Sequence, residues 1–214
     1  IAGEGVDFYS NDYLGFASSH AIFSKAQKLC ETYNLKQNGA TGSRLISGNH
    51  QLYQITEDFL AVFHQTEAAL MFNSGYDANI GFFSSVPQKG DLIFFDELIH
   101  ASIRDGISMS TAKAYKFEHN DIDDLQDKVS RHDFKEDSSI YVVTEAVFSM
   151  DGDLAPLLQL ASLCNENNFY LIVDEAHSTG VFGDHGQGLV TQLRLQDKIF
   201  ARIHTFGKAI GAHG

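Results

Sequence analysis

Leu171-Ile172-Val173-Asp174-Glu175-Ala176-His177 is a short apolar run that ends in an acid, with a histidine three places further on. A run this short, with no polar alternation, reads as a strand buried on both faces. Thr205-Phe206-Gly207-Lys208 stands in the same relation to the apolar run Ile199 to Ile203 and presents one lysine among small residues. Two buried strands that each deliver a reactive side chain at the tip imply a parallel sheet, whose strand-to-helix loops gather ligands along one edge.

The chain from Glu67 onward repeats this alternation. Strands are expected at Ala68 to Phe72, Leu92 to Phe95, Ala112 to Phe117, Ile140 to Val143, Tyr170 to Val173 and Ile199 to Ile203. Helices are expected at Tyr76 to Ser85, Ala101 to Met109, Asp121 to Val129 and Pro156 to Asn165, the last with Leu157, Leu160, Ala161 and Cys164 on one face. The fold class is α/β, a mostly parallel sheet with helices on both faces. Residues 1–65 differ. Ile22, Ala26, Leu29 and Tyr33 mark one helix by their spacing, and Leu52, Ile55, Phe59 and Val62 mark another, around the glycine-rich loop Asn38 to Arg44. The expected division is an N-terminal helical segment, 1–65, and a large domain, 66–214. His132 to Ser139 is polar and reads as a surface connection. The last residue, Gly214, lies six positions beyond Lys208, so the chain is expected to be part of a longer protein.

Composition narrows the class. A net charge of −13 and no basic stripe argue against nucleic-acid binding. An anionic ligand must be held by local donors against an unfavourable overall field. No apolar run is long enough to cross a bilayer. Ile1-Ala2-Gly3-Glu4 has no secretory signature and no initiating Met. The two cysteines, Cys30 and Cys164, form no paired motif and read as buried free thiols, which favours a reducing compartment, the cytoplasm.

An Asp, a His and a Lys at neighbouring strand ends are the parts needed to hold a pyridoxal phosphate (PLP) ring: the acid pairs with the pyridine nitrogen and the lysine forms the Schiff base. Each residue also has a plainer reading. Asp174 and His177 read equally as a helix cap and a loop histidine, and Lys208 as a surface lysine. Asn73-Ser74-Gly75-Tyr76 opens a helix and could cradle a phosphate on its free amides, though Ser-Gly is also an ordinary turn. His100 could lay its imidazole on a flat ring or simply flank a helix. Ser149 could donate to a cofactor or serve a turn. Asp174 to His177 also spells a helicase-type acidic box, but no phosphate loop of the required form lies upstream. A metal site at Asp174, Glu175 and His177 lacks a second histidine at ligand-like spacing, so no metal is expected.

Together these residues resemble the α-oxoamine synthases, PLP-dependent enzymes of the aspartate-aminotransferase-like fold, fold type I. The resemblance runs from Ser10-Asn11-Asp12-Tyr13-Leu14-Gly15 to the end. It includes Gly42 to Gly48, Ser74-Gly75-Tyr76, His100-Ala101-Ser102, Glu145 to Gly152, Asp174 to His177 and Thr205 to Ala209. It implies that Lys208 carries the cofactor and Asp174 pairs with its pyridine nitrogen. Ser149 and His177 then contact ring substituents, His100 stacks on the ring, Gly75 and Tyr76 lie near the phosphate, Thr205 is a further contact, and Asn11 lies near the substrate. The implied reaction joins an L-amino acid to an acyl-CoA with loss of CO2, with Lys208, His100 and Asp174 as its catalytic residues. The implied assembly is a homodimer. Ser43 to Gly48, Phe148 to Asp153 and Thr205 to Lys208 look most like the biotin-pathway branch. Another α-oxoamine synthase reaction, an aminotransferase or aldolase-like reaction on the same cofactor, and a non-catalytic scaffold are the rival readings. Family members carry a C-terminal domain with an arginine for the amino acid's carboxylate, and no position in this sequence stands in for it.

Overall fold

The computed structural model describes residues 6–36, 38–135 and 137–214; Ile1-Ala2-Gly3-Glu4 and residue 136 of the 132–139 connection lie outside them. Five strands form one sheet: β1 Leu92–Asp96, β2 Lys113–Phe117, β3 Ile140–Glu145, β4 Tyr170–Asp174 and β5 Ala201–Ile203. Their order is β2-β1-β3-β4-β5, and every pairing is parallel. The helices are α1 His20–Thr32, α2 Gln51–His64, α3 Gly75–Ser85, α4 Ala101–Met109, α5 Ile122–Ser130, α6 Leu157–Asn167 and α7 Leu189–Gln192.

The apolar strands are continuous because both faces of the sheet are covered. Leu92, Phe94, Ile140, Val142, Leu171 and Val173 pack with Leu125 of α5 and with Leu157, Leu160, Ala161 and Cys164 of α6. Their neighbours along the strands, Ile93, Tyr141, Val143, Ile172 and Ile203, join a second cluster with Phe83 of α3 and with Ile103 and Ile107 of α4. Each fully buried Leu, Ile or Phe here contributes about 2 kcal/mol. The chain leaves β1 in one direction along the sheet to reach β2 and returns on the other side to form β3. The carboxyl ends of β1 and β3 therefore flank a crevice.

Three expectations are corrected. Ala68 to Phe72 is not a strand. A mostly apolar cleft of about 350 Å³ separates it from β5, so it has no ladder partner there, and the Met71 amide donates instead to Glu57 Oε1 at 2.8 Å. Cys30 is exposed rather than buried, because no residue of α1 is buried; only Cys164 matches the expected thiol. The last strand begins at Ala201, not Ile199, since Gln196–Lys198 forms a 3₁₀ turn just before it. The short helix α7 had no periodic signal in the sequence.

Behind β4 and β5 lies a buried polar knot. Arg202 Nη2 donates to Glu175 Oε2 at 3.0 Å, to Gln187 O at 3.0 Å and to Thr191 Oγ1 at 3.1 Å. Arg202 Nη1 donates to His64 O at 2.7 Å, which ties α2 to the sheet, and the Val190 amide donates to Glu175 Oε1 at 2.7 Å. The His64 ring stacks on His204 with centroids 3.8 Å apart. Burial first, and the Arg202 cation second, hold the His64 pKa down to about 4.

Two outcomes follow. Gly188 has φ +109°, and a methyl group there would overlap the Glu175 carboxylate. Gly188→Ala is therefore expected to lower the unfolding free energy by about 3 kcal/mol in denaturant titration. His64 stays neutral when folded but takes up a proton below its ordinary value of 6.5 when unfolded. The unfolded state thus binds more protons between about 4 and 6.5, and the contribution of His64 falls as pH falls through that window. The stability difference between the wild type and His64→Gln is expected to shrink from pH 7 to pH 5; a constant or widening difference would contradict a neutral buried ring.

Candidate active site

The carboxyl edge of the sheet carries a cavity of about 190 Å³. It is below the ~300 Å³ at which ligand pockets usually begin, so it suits a single ring rather than a nucleotide-sized molecule. Each wall comes from a different element. β4 ends in Asp174, which is 5% exposed. Asp174 Oδ1 accepts from the Ala176 amide at 2.8 Å, and Oδ2 accepts from Asn79 Nδ2 at 2.9 Å. Asn79, on α3, also donates to Ser102 Oγ at 3.0 Å, and its own Oδ1 is buried without a partner among the described residues. The acid is thus aimed by two donors.

Lys208 follows β5 and lines the same cavity. Its Nζ lies 2.8 Å from His177 Nε2. An ammonium can only donate, so Nε2 accepts and the imidazole proton sits on Nδ1. Nδ1 meets Tyr13 Oη at 2.7 Å, and the Tyr13 hydroxyl donates to Asn11 Oδ1 at 3.2 Å. A directed chain therefore runs from Lys208 through His177 and Tyr13 to Asn11. Burial first, then the Lys208 charge, lowers the His177 pKa to about 4, which keeps the ring neutral. Burial also lowers the Lys208 pKa, against the pull of Asp174 and Glu145.

His100 caps α4: its Nδ1 accepts from the Ser102 amide at 3.2 Å and meets Ser102 Oγ at 2.7 Å. Its ring is exposed, with Tyr76 edge-on at 6.5 Å. Gly75 and Tyr76 open α3, and a Cβ at Gly75 would stand 3.1 Å from Thr205 Cβ, so these two elements meet closely at the cavity rim. The Ser74 side chain caps the Asp77 amide at 3.0 Å, leaving the first two helical amides to a ligand. The structure thus brings Gly75, Tyr76, His100, Asp174, His177, Thr205 and Lys208 around one cavity. Asn11 stands two hydrogen bonds beyond it, through Tyr13, and Ser149 lies exposed on the turn after β3, away from the lining.

Three residues escaped sequence reasoning. Glu145 ends β3 directly beside Asp174 in the ladder, and its Oε1 accepts from the His100 amide at 2.5 Å. Burial, reinforced by Asp174, pushes its carboxyl up to about 8. Its signal was the one that marked Asp174, an acid at the tip of an apolar run. Asn79 is a polar residue on a buried helix face. Tyr13 lies 164 positions from His177 and gives no local signal.

Among the described residues, no group of three or more His, Cys, Asp or Glu is arranged to hold a metal ion. A PLP-type ring fits the residues present. An aimed buried carboxylate, a lysine without a salt-bridge partner among the described residues and two free helix amides converge on a ring-sized space. Among the described residues no helix is long and apolar enough to cross a membrane.

Comparison with known proteins agrees with this geometry. Residues 4–214 match the family model for aminotransferase class I and II. The chain is 42% identical over 227 aligned residues to the 8-amino-7-oxononanoate synthase of Emericella nidulans, covering 100% of this chain and 55% of that protein. Among solved structures, the 8-amino-7-oxononanoate synthase of Francisella tularensis superposes with a TM-score of 0.78 at 33% identity, covering 98% of this chain and 56% of that one. A serine palmitoyltransferase from S. paucimobilis, solved with a bound PLP–myriocin aldimine, gives 0.86 at 31% identity, covering 96% and 50%. The chain spans about half the length of these relatives. The architecture is that of the PLP-dependent transferases of fold type I. The chain belongs to the aminotransferase class I and II family, and its resemblance to the α-oxoamine synthases holds across that whole span.

Proposed function

We propose that this chain carries the cofactor-holding part of a PLP-dependent C-acyltransferase. The enzyme joins L-alanine to pimeloyl-CoA, or to the matching carrier-protein thioester, and yields 8-amino-7-oxononanoate, CoA and CO2 for biotin biosynthesis. The observation that carries the reading is the convergence of Asp174, His177 and Lys208 on one ring-sized cavity. The curated relatives named 8-amino-7-oxononanoate synthase support the choice of substrates.

When bound, PLP supplies an electron sink for the α-carbon of an amino acid. Asp174, held by Asn79 and Ala176, would keep a pyridine nitrogen protonated, because an adjacent anion favours the charged form. Lys208 would hold the cofactor at rest. Its lowered pKa makes the free amine a competent base for the α-proton. Neutral His177 accepts from the Lys208 amine and steers it, while its Nδ1–H rests on Tyr13. His100 offers an exposed imidazole face to the ring. The Gly75 and Tyr76 amides would take the phosphate, and Thr205, whose hydroxyl donates to Gly214 O at 3.1 Å, would be a further contact at the rim; Ser149 would offer its hydroxyl to a ring oxygen from the turn outside the lining. Asn11 would face the substrate through Tyr13. Among the described residues no arginine lines the cavity.

We assign 66–214 as the cofactor-binding domain and 1–65 as an N-terminal helical segment with a glycine-rich loop. We place the protein in the cytoplasm as a homodimer. The serine palmitoyltransferase match favours a second reading, another α-oxoamine synthase with a longer acyl chain.

Adding PLP is expected to give the visible band of lysine-bound cofactor, absent in Lys208→Ala; no band in the wild type would reject the reading. With alanine and a panel of acyl-CoAs, thiol release should peak with pimeloyl-CoA, whereas a peak at palmitoyl-CoA would favour the second reading. Keto-acid exchange without thiol release would point to an aminotransferase. Asp174→Asn should cut thiol release by at least about 10²-fold, as the loss of a placed charge does.

A further inference from the structure

Outside the cavity, the tightest cluster of titratable groups is centred on His119, just after β2. Its Nδ1 lies 2.9 and 3.1 Å from the two oxygens of Asp96, the last residue of β1, which is fully buried. Its Nε2 lies 2.5 Å from Asp153 Oδ2, in the loop after β3. A neutral imidazole has one N–H, and ionised carboxylates only accept. Two carboxylate partners on opposite nitrogens therefore call for an imidazolium. Burial opposes that charge, but the hydrogen bonds to Asp96 and Asp153 outweigh it and raise the pKa. These two carboxylates are the charged groups bearing on the ring. Asn120 reinforces the bridge. Its amide donates to Asp96 Oδ2 at 2.8 Å, and its Nδ2 donates to Asp153 Oδ2 at 2.9 Å and to Leu154 O at 3.3 Å.

What the bridge holds is a turn. The Phe148 amide donates to Asp153 O at 3.0 Å, and the Gly152 amide to Phe148 O at 2.9 Å. Val147 bridges Leu154, and Phe148 packs edge-on against the His119 ring at 4.4 Å. Ser149 sits at the tip of this turn, four residues before Asp153, and His100 lies four residues after Asp96. One cationic ring thus joins three strand ends at the edge that forms the cavity.

We propose that His119 is a positioning residue: as an imidazolium clamped between Asp96 and Asp153, it sets the 148–153 turn and, through it, the place of Ser149. The clamp stands on the geometry alone; its link to the cofactor rests on the function proposed above.

The clamp is read without cofactor. In ¹⁵N spectra followed over pH, His119 should keep both nitrogens protonated above the pH at which an ordinary histidine, with a pKa of about 6.5, loses its charge. Asp153→Asn should move that titration down. In His119→Gln, hydrogen exchange at the Phe148 and Gly152 amides should rise about tenfold while β3 and β4 stay protected. A wild-type His119 that loses its charge at the ordinary pH, or unchanged exchange in a folded His119→Gln, overturns the clamp. If His119→Gln does not fold, the exchange of Asp153→Asn decides in the same way. With PLP added, His119→Gln and Ser149→Ala should each weaken affinity about tenfold, and the double variant no further. Unchanged affinity in His119→Gln, with binding still lost in Lys208→Ala, overturns the link to Ser149 and leaves the proposed function standing. No PLP binding by the wild type rejects that function and the link together, and leaves the clamp to the first two readouts.

Discussion

Arg202 and Glu175 meet 3.0 Å apart with almost no access to solvent, and the geometry of the cavity depends on their staying there. Successive residues of a strand point to opposite faces. Glu175 continues the β4 path by one residue, its amide donating to Ile203 O at 2.7 Å. It therefore turns away from the face that receives Asp174. A slip of one residue would exchange the acid that meets Arg202 for the acid that meets the cavity. Removing one member of a buried pair leaves an uncompensated charge, at a cost of about 3–5 kcal/mol, so the register is strongly held. The same arginine carries α2 through the His64 carbonyl and the 187–191 segment through Gln187 and Thr191.

With the register fixed, the electrostatics of the cavity follow from proximity. The β3–β4 ladder sets Glu145 against Asp174, and two carboxyls so close do not both ionise readily. Glu145 is the one that takes the penalty, because only one backbone amide serves it, whereas Asp174 is served by two donors. The lysine's hydrogen-bonded neighbour is a neutral imidazole, and burial lowers the lysine's pKa against the pull of Asp174 and Glu145. The chain's net charge of −13 has little bearing on this, since the groups that matter are shielded from solvent and lie within hydrogen-bond reach.

The parts legible in the sequence are those whose signal is local. Apolar runs gave β1, β2, β3 and β4 nearly to their ends, and Asp174 at the tip of β4 pointed to the edge where function collects. The residues that escaped notice act over distance. Asn79 matters because α3 lies against β4, and Tyr13 because the N-terminal loop folds over the loop after β4. Ala68 to Phe72 shows the reverse failure. Its composition is that of a strand, but a strand needs a neighbour, and here a cleft stands where the neighbour would be. His119 was invisible for a related reason. A histidine in a polar loop acquires its role only when two carboxylates, one at the end of β1 and one in the loop after β3, close on it.

The two walls of the site differ in how firmly they are built. Asp174, Glu145 and Lys208 rest on strands packed on both faces. Tyr13 and Asn11 belong to a segment with few buried contacts. The following helix, α1, has no buried residue, and the loop's own bonds, Gly15 to Asp12 and Ala17 to the Asp12 carboxylate, are exposed. What seats the segment is its meeting with the far end of the described chain. Gly211, at φ +64°, leaves no room for a side chain because the Ala17 backbone lies against it. Local stability follows buried contact, so this wall opens more readily than the sheet edge beneath it. The Tyr13–His177 contact is therefore the first part of the site to yield. The sheet-edge wall can stand without it, whereas the wall that carries Tyr13 and Asn11 is complete only while residues near the two ends of the described chain remain docked on each other.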